Sequence, residues 1–243
     1  MSSIIANKQP IYKGKTKDVY QLDDGNILLK FKDTVTGWSK TGESDPGGNQ
    51  VVGEVKGTGS YALGVTTYYF EILKNMKNIF GKPVVPTHFV SSNLNENEMT
   101  VVPVKMFGKG VEVVIRNIMV GSFVRRYGLY VKDGDVPSRP IIEFTLKDDQ
   151  RDDPLINEDA LQIIGLINQK QINQIKKYTY KLNSMLVNDL KNKGAQLYDI
   201  KFEFGLDNGR VVLIDEISGG NMRVFKDGKK LSYEELSKLI LSK

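Results

Sequence analysis

A hairpin-like segment near the C-terminus carries side chains that could hold a metal ion and a phosphate. Side chains alternate along a strand, so Asp199, Lys201 and Glu203 would share one face. A three-residue turn at the following Asp-Asn-Gly would set Glu203 opposite Asp215, whereas a two-residue turn shifts that pairing by one. Two carboxylates on adjacent strands suit Mg²⁺ that is itself bound to nucleotide phosphates. The alternative is an exposed sheet face on which Lys201 bridges the acids.

A lysine-rich stretch near the N-terminus could contact a polyphosphate. In an extended strand, Lys13, Lys15 and Lys17 would lie on one face, and Gly14 would let a backbone N–H approach a ligand closely. The stretch lacks the Gly-x4-Gly-Lys-Ser/Thr spacing of a Walker A loop. The alternative is a solvated strand face with a turn.

A third group of polar residues could bind an anion. Arg116 ends an apolar run, Ser122 follows at a Gly-Ser turn, and Arg125 and Arg126 come directly after it. Guanidinium, hydroxyl and backbone N–H groups can bind one anion together. Each of these residues taken alone also fits an ordinary strand-to-helix junction.

The remaining candidates are an acidic loop and a single histidine. The loop 147–154, which includes Asp153, could hold an amine substrate or a metal, and a solvated acidic loop is the alternative. His88 is the only histidine and there is no cysteine, so a Ser-His-Asp or Cys-His nucleophile has little support. We expect a structural role for His88.

These residues must be positioned by a mixture of strands and helices. Strands are expected at residues 11–22, 26–32, 84–90, 99–106, 111–117 and 141–147, and in a hairpin of 195–206 and 210–217. Helices are expected at residues 61–80, within 117–128, and at 159–166, 171–193 and 231–241. The glycine-rich segment 33–60 and the segment 218–227 are predicted as loops. The pattern predicts an α+β protein with two lobes.

Composition narrows the classes of protein that need to be considered. The chain has 243 residues, 40% of them hydrophobic, and a net charge of +5. Its basic residues are spread along the chain without a basic stripe, which argues against nucleic-acid binding. No stretch approaches the ~18 apolar residues of a membrane span, and no signal peptide is visible. We therefore expect a soluble cytoplasmic protein that binds neither membrane nor nucleic acid.

Four segments, taken together and in order, resemble the SAICAR synthetase (phosphoribosylaminoimidazole-succinocarboxamide synthase) family. They are Tyr-x-Gly-Lys-x-Lys-x-x-Tyr at 12–20, Val-x-Arg-Asn with Gly-Ser at 114–122, Asp-Pro-x-x-Asn-Glu at 153–158, and Asp-x-Lys-x-Glu-Phe-Gly with Asp-Glu-x-Ser at 199–218. One such motif would be weak, whereas four in register over about 200 residues are specific.

The resemblance implies a fold and a reaction. The fold is a two-lobed, ATP-grasp-like α+β architecture of antiparallel sheets and packed helices, with ATP in the cleft between lobes at 1–105 and 106–243. The reaction is the ATP-dependent condensation of carboxyaminoimidazole ribonucleotide with L-aspartate, through an acyl phosphate, in a homodimer. The alternatives are another ATP-dependent carboxylate–amine ligase, a small-molecule kinase, or a nucleotide-binding regulator without turnover.

The resemblance also implies roles for individual residues. Lys13, Gly14, Lys15 and Lys17 would line the ATP phosphates, with the adenine near Val104. Glu203 and Asp215 would hold Mg²⁺. Lys201 would face the reacting carboxylate or the transferred phosphate, with Asp199 as the second catalytic candidate. The expected substrate-binding residues are Arg116, Ser122, Arg223 and Asp153.

The sequence departs from the family pattern at three places. Gly219-Gly220 stands where the family often has Pro-Asp, so an acidic substrate contact is absent. Residues 34–37 replace a Ser-Ala-x-Asp motif, and Asp152 replaces a histidine. These differences indicate a divergent branch and give no role to the glycine-rich segment.

Overall fold

The computed structural model describes residues 5, 8–37, 45–46 and 48–242, and its fold is α+β. Trp38, Gly42 and Gly47 of the glycine-rich segment lie outside the described residues. No helix in the described part of the chain is long and apolar enough to span a membrane.

The strands and helices follow one another in a mixed order. The strands are β1 (Tyr12–Lys13), β2 (Lys17–Gln21), β3 (Ile27–Phe31), β4 (Thr34–Gly37), β5 (Gln50–Glu54), β6 (Phe89–Asn93), β7 (Glu98–Val101), β8 (Lys105–Met106), β9 (Val111–Arg116), β10 (Ile141–Leu146), β11 (Gln196–Asp207), β12 (Arg210–Ile214), β13 (Met222–Lys226) and β14 (Lys229–Lys230). The helices are α1 (Thr58–Asn75), α2 (Ser122–Tyr127), α3 (Glu158–Ile163), α4 (Gln169–Asn192) and α5 (Tyr233–Leu241).

The first sheet contains five antiparallel strands in the order β1-β2-β3-β7-β6. The predicted extended stretch 11–22 is two strands, because the chain turns back after β1 and pairs Lys13 with Asp18. Gly14 permits this turn, since a Cβ at that position would lie 2.6 Å from the Lys17 carbonyl oxygen. The loop prediction for 33–60 was wrong in part, because β4 and β5 pair there as a separate ribbon.

The second sheet is centred on β11, which has neighbours along both of its edges. Its order is β10-β9-β11-β13-β14, with β8 and β12 paired to the remaining length of β11. The hairpin prediction is confirmed, and Asp207 pairs with Arg210 across a two-residue turn. The loop prediction for 218–227 was wrong in part, because Met222–Lys226 forms β13 and pairs with β11, whereas 218–221 is a turn.

Local signals explain where the helices begin and end. Asn168 with Gln171 caps α4, and Ser232 with Glu235 caps α5, each as a reciprocal capping box. The predicted helix 61–80 instead ends at Asn75. Beyond it, the Asn78 side chain accepts the N–H groups of Phe80 and Lys82, at 2.9 and 3.1 Å, and so stabilises a turn.

One hydrophobic core joins both sheets and the helices. Its members include Phe70 of α1, Met99 of the first sheet, Leu186 of α4 and Phe202 of the second sheet, all fully buried. The first sheet ends in sequence at Val101, and the second begins at Lys105. The lobe boundary near residue 105 stays a prediction.

Candidate active site

Three charged residues lie side by side on the central strands of the second sheet. Asp199 of β11 pairs with Arg116 on the neighbouring strand β9. On the other side of β11, Asp199 pairs with Arg223 of β13. Its Oδ2 atom accepts from Arg116 Nη1 at 2.8 Å and from Arg223 Nη1 at 2.5 Å. All three side chains are largely buried, so the shared carboxylate compensates two guanidinium groups that are mostly shielded from water.

Arg116 has most of its remaining donors engaged within the protein. Its Nε donates to Glu143 at 2.6 Å, and its Nη2 donates to the Ser122 hydroxyl at 2.8 Å. Glu143 also receives Arg126 Nη2 at 2.6 Å. The sequence did not single out Glu143, although a charge inside the apolar run of β10 is a signal that could have found it.

Arg223 extends from the same cluster toward the glycine-rich segment. Its Nε and Nη2 atoms donate to Asp45 Oδ1 at 3.0 and 2.5 Å. Arg125 Nη1 lies 3.8 Å from the other oxygen of Asp45. The sequence offered no signal for Asp45, because the contact joins residues 178 positions apart.

Lys201 lies next along β11 and is neutralised by Glu112 of β9. The Lys201 Nζ atom lies 2.5 Å from Glu112 Oε1, and the Thr145 hydroxyl donates to Glu112 Oε2 at 2.9 Å. Burial alone lowers the pKa of Lys201, but the charges of Glu112 and Glu203 raise it above the usual value. Lys201 therefore stays cationic beside the pocket. Glu112 could have been predicted, because it shares a strand face with Arg116.

Glu203 and Asp215, the two residues predicted to bind a metal, lie on and directly after the paired strands of the same hairpin. The two-residue turn pairs Glu203 with Ile214, and Asp215 follows with a left-handed φ of 63°. Burial raises the pKa of Glu203. The charge of Lys147 lowers that pKa and the charge of Asp215 raises it, and the net shift is upward. Lys147 Nζ lies 2.7 and 3.0 Å from the two Glu203 oxygens.

A divalent cation fits the chemistry of this pair. A buried carboxylate and a partly exposed one that repel each other are a hard-oxygen donor set, and a cation between them would relieve that repulsion. Among the residues that the structure describes, no three His, Cys, Asp or Glu side chains gather closely enough to hold a metal ion by themselves. Further oxygen ligands would therefore have to come from a phosphate or from water.

Lys17 joins the first sheet to this acidic end of the second. Its Nζ atom lies 3.1 Å from Asp215 Oδ1 and also contacts Glu216. Burial lowers the pKa of Lys17, but the charges of Asp215 and Glu216 raise it by a larger amount, so the net shift is upward. Burial raises the pKa of Asp215, whereas Lys17 and Lys147 lower it to about 2. Both groups are therefore charged at neutral pH.

The other members of the lysine stretch lie elsewhere. The expectation of one common face was wrong, because the turn after β1 leaves Lys13 exposed while Lys17 points inward. The Gly14 N–H donates to the Lys17 carbonyl at 2.8 Å, so this donor is already used. Lys15 reaches the acidic loop, where it lies 2.6 Å from Asp149.

The acidic loop covers the pocket from a third side. Asp153 is half-buried and accepts the Asp148 N–H at 2.8 Å. Burial, and then the charge of Glu112, raise the pKa of Asp153 above its usual value. Asn49 Nδ2 donates to Asp152 Oδ1 at 2.7 Å and so links the loop to the glycine-rich segment.

His88 contacts the backbone of Asp215. Its Nε2–H donates to the Asp215 carbonyl at 3.3 Å, and its backbone N–H donates to the Leu213 carbonyl at 3.0 Å. Burial lowers the pKa of His88 to about 4. A neutral imidazole thus supports the backbone at Asp215.

The structure brings most of the predicted site residues to one region. A single pocket is lined by Asp199, Lys201, Arg116, Ser122, Arg223 and Asp153. Val104 packs against Gly205 of β11, where an added Cβ would lie 3.1 Å from the Val104 side chain. The region therefore offers lysines and paired carboxylates at one end and arginines at the other, which suits two phosphorylated ligands.

Comparison with known proteins gives a consistent result. The family model for SAICAR synthetase matches residues 10–242. The phosphoribosylaminoimidazole-succinocarboxamide synthase of Clostridium tetani is 48% identical over 233 residues, covering 95% of this chain and 98% of that protein. The enzyme of the same name from Sulfolobus acidocaldarius is 37% identical, covering 88% of this chain and 83% of that protein. A solved SAICAR synthetase in complex with ADP superposes with a TM-score of 0.80 at 29% identity, covering 95% and 97% of the two chains.

Proposed function

The chain belongs to the SAICAR synthetase family, and we propose that the pocket and the adjoining lysine–carboxylate cluster carry out its reaction. It is an ATP-dependent ligase of de novo purine biosynthesis. It condenses 5-amino-1-(5-phospho-D-ribosyl)imidazole-4-carboxylate with L-aspartate, gives SAICAR, and converts ATP to ADP and phosphate. The observation that carries the residue assignment is the partly buried cluster in which Lys17 contacts Asp215 while Lys147 contacts Glu203.

We assign the lysine–carboxylate cluster to the phosphates of ATP. Lys17 is buried and fixed, and Lys15 stands nearby at the acidic loop. Lys13 is exposed, so its contribution would be a weaker, solvent-screened attraction. Gly14 would act by allowing the tight turn. The backbone at Val104, between the two sheets, is the proposed position of the adenine.

Mg²⁺ is proposed to bind at Glu203 and Asp215. Two carboxylates plus phosphate oxygens and water would complete the oxygen coordination that this ion prefers. When bound, it would supply neutralisation of the charge on the transferring phosphoryl group. Lys147 neutralises Glu203 in the protein alone, so its ammonium group would have to share that carboxylate when the ion is present.

The arginine end of the pocket is proposed to bind the ribonucleotide. Arg223 would contact its phosphate directly. Arg116 has four hydrogen bonds within the protein, so it would act mainly by orienting Ser122 and Asp199. Lys201 would then face the carboxylate that reacts, and Asp153 would hold the ammonium group of L-aspartate.

The proposed sequence has two steps. A carboxylate oxygen of the ribonucleotide attacks the γ-phosphorus of ATP, ADP leaves, and an acyl phosphate forms. The deprotonated amine of L-aspartate then attacks the acyl carbon, phosphate leaves, and the nitrogen loses its remaining extra proton as the amide forms. No protein nucleophile is required, so catalysis rests on positioning and on the cationic charge of Lys17 and Lys201.

Two further properties are proposed from the family resemblance. We expect a homodimer and a cytoplasmic location. Light scattering would report a mass of about twice the 27.3 kDa chain if the dimer is correct. A monomer at assay concentration would contradict it.

A turnover assay tests the proposal. The protein is mixed with Mg-ATP, L-aspartate and the carboxylated ribonucleotide, and ADP and SAICAR are measured together. Product that requires all three substrates supports the reaction, whereas ADP release that is indifferent to aspartate would contradict it. Glu203→Ala should abolish turnover, with Asp207→Ala at the exposed end of the same strand as the matched control.

A further inference from the structure

We propose that Asp45 is a specificity-determining residue whose carboxylate occupies the phosphate position of the ribonucleotide subsite. Only a ligand with more negative charge than a single carboxylate displaces it. The inference rests on the proposed role of Arg223 as the phosphate contact. It goes further by assigning a function to the glycine-rich segment, which the catalytic scheme does not use.

The contacts of Asp45 resemble those of a bound anion. Oδ1 accepts two donors of Arg223, at 3.0 and 2.5 Å, and Oδ2 lies 3.8 Å from Arg125. Only 17% of the Asp45 side chain is exposed, and only 11% of the Arg223 side chain. An incoming phosphate that used this edge of the guanidinium would need the place that the Asp45 carboxylate holds.

Asp45 can give up that place without unfolding its segment. Its backbone N–H donates to the Thr36 carbonyl of β4 at 3.0 Å, and its carbonyl accepts the Gly48 N–H at 2.9 Å. Gly48 lies against Gly37, where an added Cβ would be within 2.6 Å of backbone atoms. Because the backbone is anchored at these points, a rotation of the Asp45 side chain is sufficient to open the subsite.

The exchange favours a dianion over a carboxylate. Among the described residues, the charged side chains that line the pocket are the cations Arg116, Arg125, Arg126, Lys201 and Arg223 and the acids Asp45, Glu112, Asp152, Asp153 and Asp199. Glu143 pairs with Arg116 and Arg126, and Glu112 pairs with Lys201. A phosphate dianion brings twice the charge of Asp45 and three oxygens that can accept from Arg223 and Arg125 together. A free carboxylate brings no more than Asp45 already supplies, and it must also give up its translational freedom.

This discrimination has a use in the proposed reaction. L-aspartate is itself a substrate and carries two carboxylates, each of which could bind an unprotected arginine pocket unproductively. With Asp45 in place, each carboxylate of free aspartate competes with an equal group that is already tethered. Asp45 therefore reserves the arginine end for the phosphorylated substrate.

Binding measurements on Asp45→Asn test the inference without turnover. Isothermal titration at low salt with ribose 5-phosphate and with succinate compares the wild type, Asp45→Asn and Asp45→Glu. We expect Asp45→Asn to bind ribose 5-phosphate about tenfold more tightly, and to bind succinate with an affinity that the wild type lacks. Asp45→Glu keeps a competing carboxylate and should resemble the wild type.

Two control variants separate this role from general effects. Asp133→Asn removes an equal charge at an exposed position and should leave both affinities unchanged. Asn49→Ala releases the segment from Asp152 while keeping the Asp45 carboxylate. If Asn49→Ala tightens binding as much as Asp45→Asn does, loosening of the segment is the cause and the inference is wrong.

The remaining outcomes are also decisive. Unchanged or weaker binding by Asp45→Asn, or no binding of ribose 5-phosphate by any variant at millimolar concentration, would overturn the inference. If the wild-type protein shows no ligase activity, the proposed function is overturned instead. Even then, tighter binding of ribose 5-phosphate by Asp45→Asn would support the competing role of Asp45.

Discussion

The two charged ends of the site are built in different ways. At the arginine end, Arg116, Asp199 and Arg223 come from three adjacent strands of one sheet, and their ion pairs are nearly closed to solvent. At the lysine–carboxylate end, Lys17 of the first sheet meets Asp215 of the second. The first end is a ladder within a sheet, and the second is a junction between two sheets.

The difference indicates which ion pairs are structural and which can be replaced by ligands. Within the ladder, backbone pairing fixes Arg116 and Arg223 beside Asp199, so these two ion pairs are part of the folded sheet. The pair that a phosphate could replace at this end is the separate one between Arg223 and Asp45. At the junction, Lys17 and Lys147 compensate the carboxylates from opposite sides, while 28% of Asp215 and 40% of Lys147 remain exposed. An incoming cation or phosphate can therefore replace or share those pairs.

The largest expected effect is on the ladder. Asp199→Ala leaves two buried guanidinium groups without their shared carboxylate, and we expect a loss of about 3–5 kcal/mol in the free energy of unfolding. Urea denaturation measures the change. Asp207→Ala breaks an exposed ion pair on the same strand and should lose less than about 1 kcal/mol. Equal losses in the two variants would contradict the structural role of the Arg116–Asp199–Arg223 ion pairs.

Acidification tests the junction through His88. Its pKa of about 4 in the folded protein lies below the value of about 6.5 expected when unfolded. As the pH falls below about 6.5 the unfolded chain takes up this proton first, so stability is lost progressively until about pH 4, by roughly 3 kcal/mol. Because His88 is the only histidine, its imidazole resonance can be followed alone by NMR. Titration near pH 6.5 in the folded protein would refute the prediction.

A smaller loss of stability is expected at the junction, and added Mg²⁺ should partly reverse it. Lys17→Met removes a buried cation beside Asp215 and Glu216, and we expect a loss of about 2 kcal/mol. Added Mg²⁺ should recover part of that loss, because the ion supplies the missing positive charge. Melting temperatures with and without Mg²⁺ measure this. Mg²⁺ should not rescue Asp199→Ala, and equal recovery in both variants would remove the contrast.

The smallest effects concern the two outer lysines. Lys13→Ala should change the KM for ATP by less than about twofold, because the side chain is exposed and screened. Lys15→Ala should raise that KM severalfold, because it also frees Asp149 of the acidic loop. Steady-state kinetics at fixed Mg²⁺ compare the two variants. A larger effect from Lys13→Ala than from Lys15→Ala would contradict the prediction and show that the segment carrying Lys13 moves on ATP binding.

Much of the fold follows from local sequence signals, and the exceptions have physical causes. The helix predicted at 171–193 forms as α4, and the Asp-Asn-Gly turn forms its hairpin. The strand β13 was missed because its pairing with β11 is a long-range contact that the preceding glycines do not indicate. The short β4–β5 ribbon was missed for the same reason.

The site could be predicted as a set of residues but not as a set of contacts. Strand alternation placed Asp199, Lys201 and Glu203 on one face. In the structure Asp199 and Lys201 line the pocket, and Glu203 contacts Lys147. Their partners were not predicted. Glu112 could have been inferred from alternation along β9. The position of Asp45, and the pairing of the predicted residue Lys17 with Asp215, depend on tertiary folding that one sequence does not reveal.

If the site activates a carboxylate by moving a phosphoryl group onto it, an oxygen atom of that carboxylate leaves with the phosphate. The direct test uses ribonucleotide labelled with ¹⁸O in its imidazole carboxylate, with Mg-ATP and L-aspartate, and mass analysis of the released phosphate. We expect one ¹⁸O atom in the phosphate for each SAICAR formed. Unlabelled phosphate with full product formation would contradict it, because the carboxylate oxygen would then never have been bonded to phosphorus.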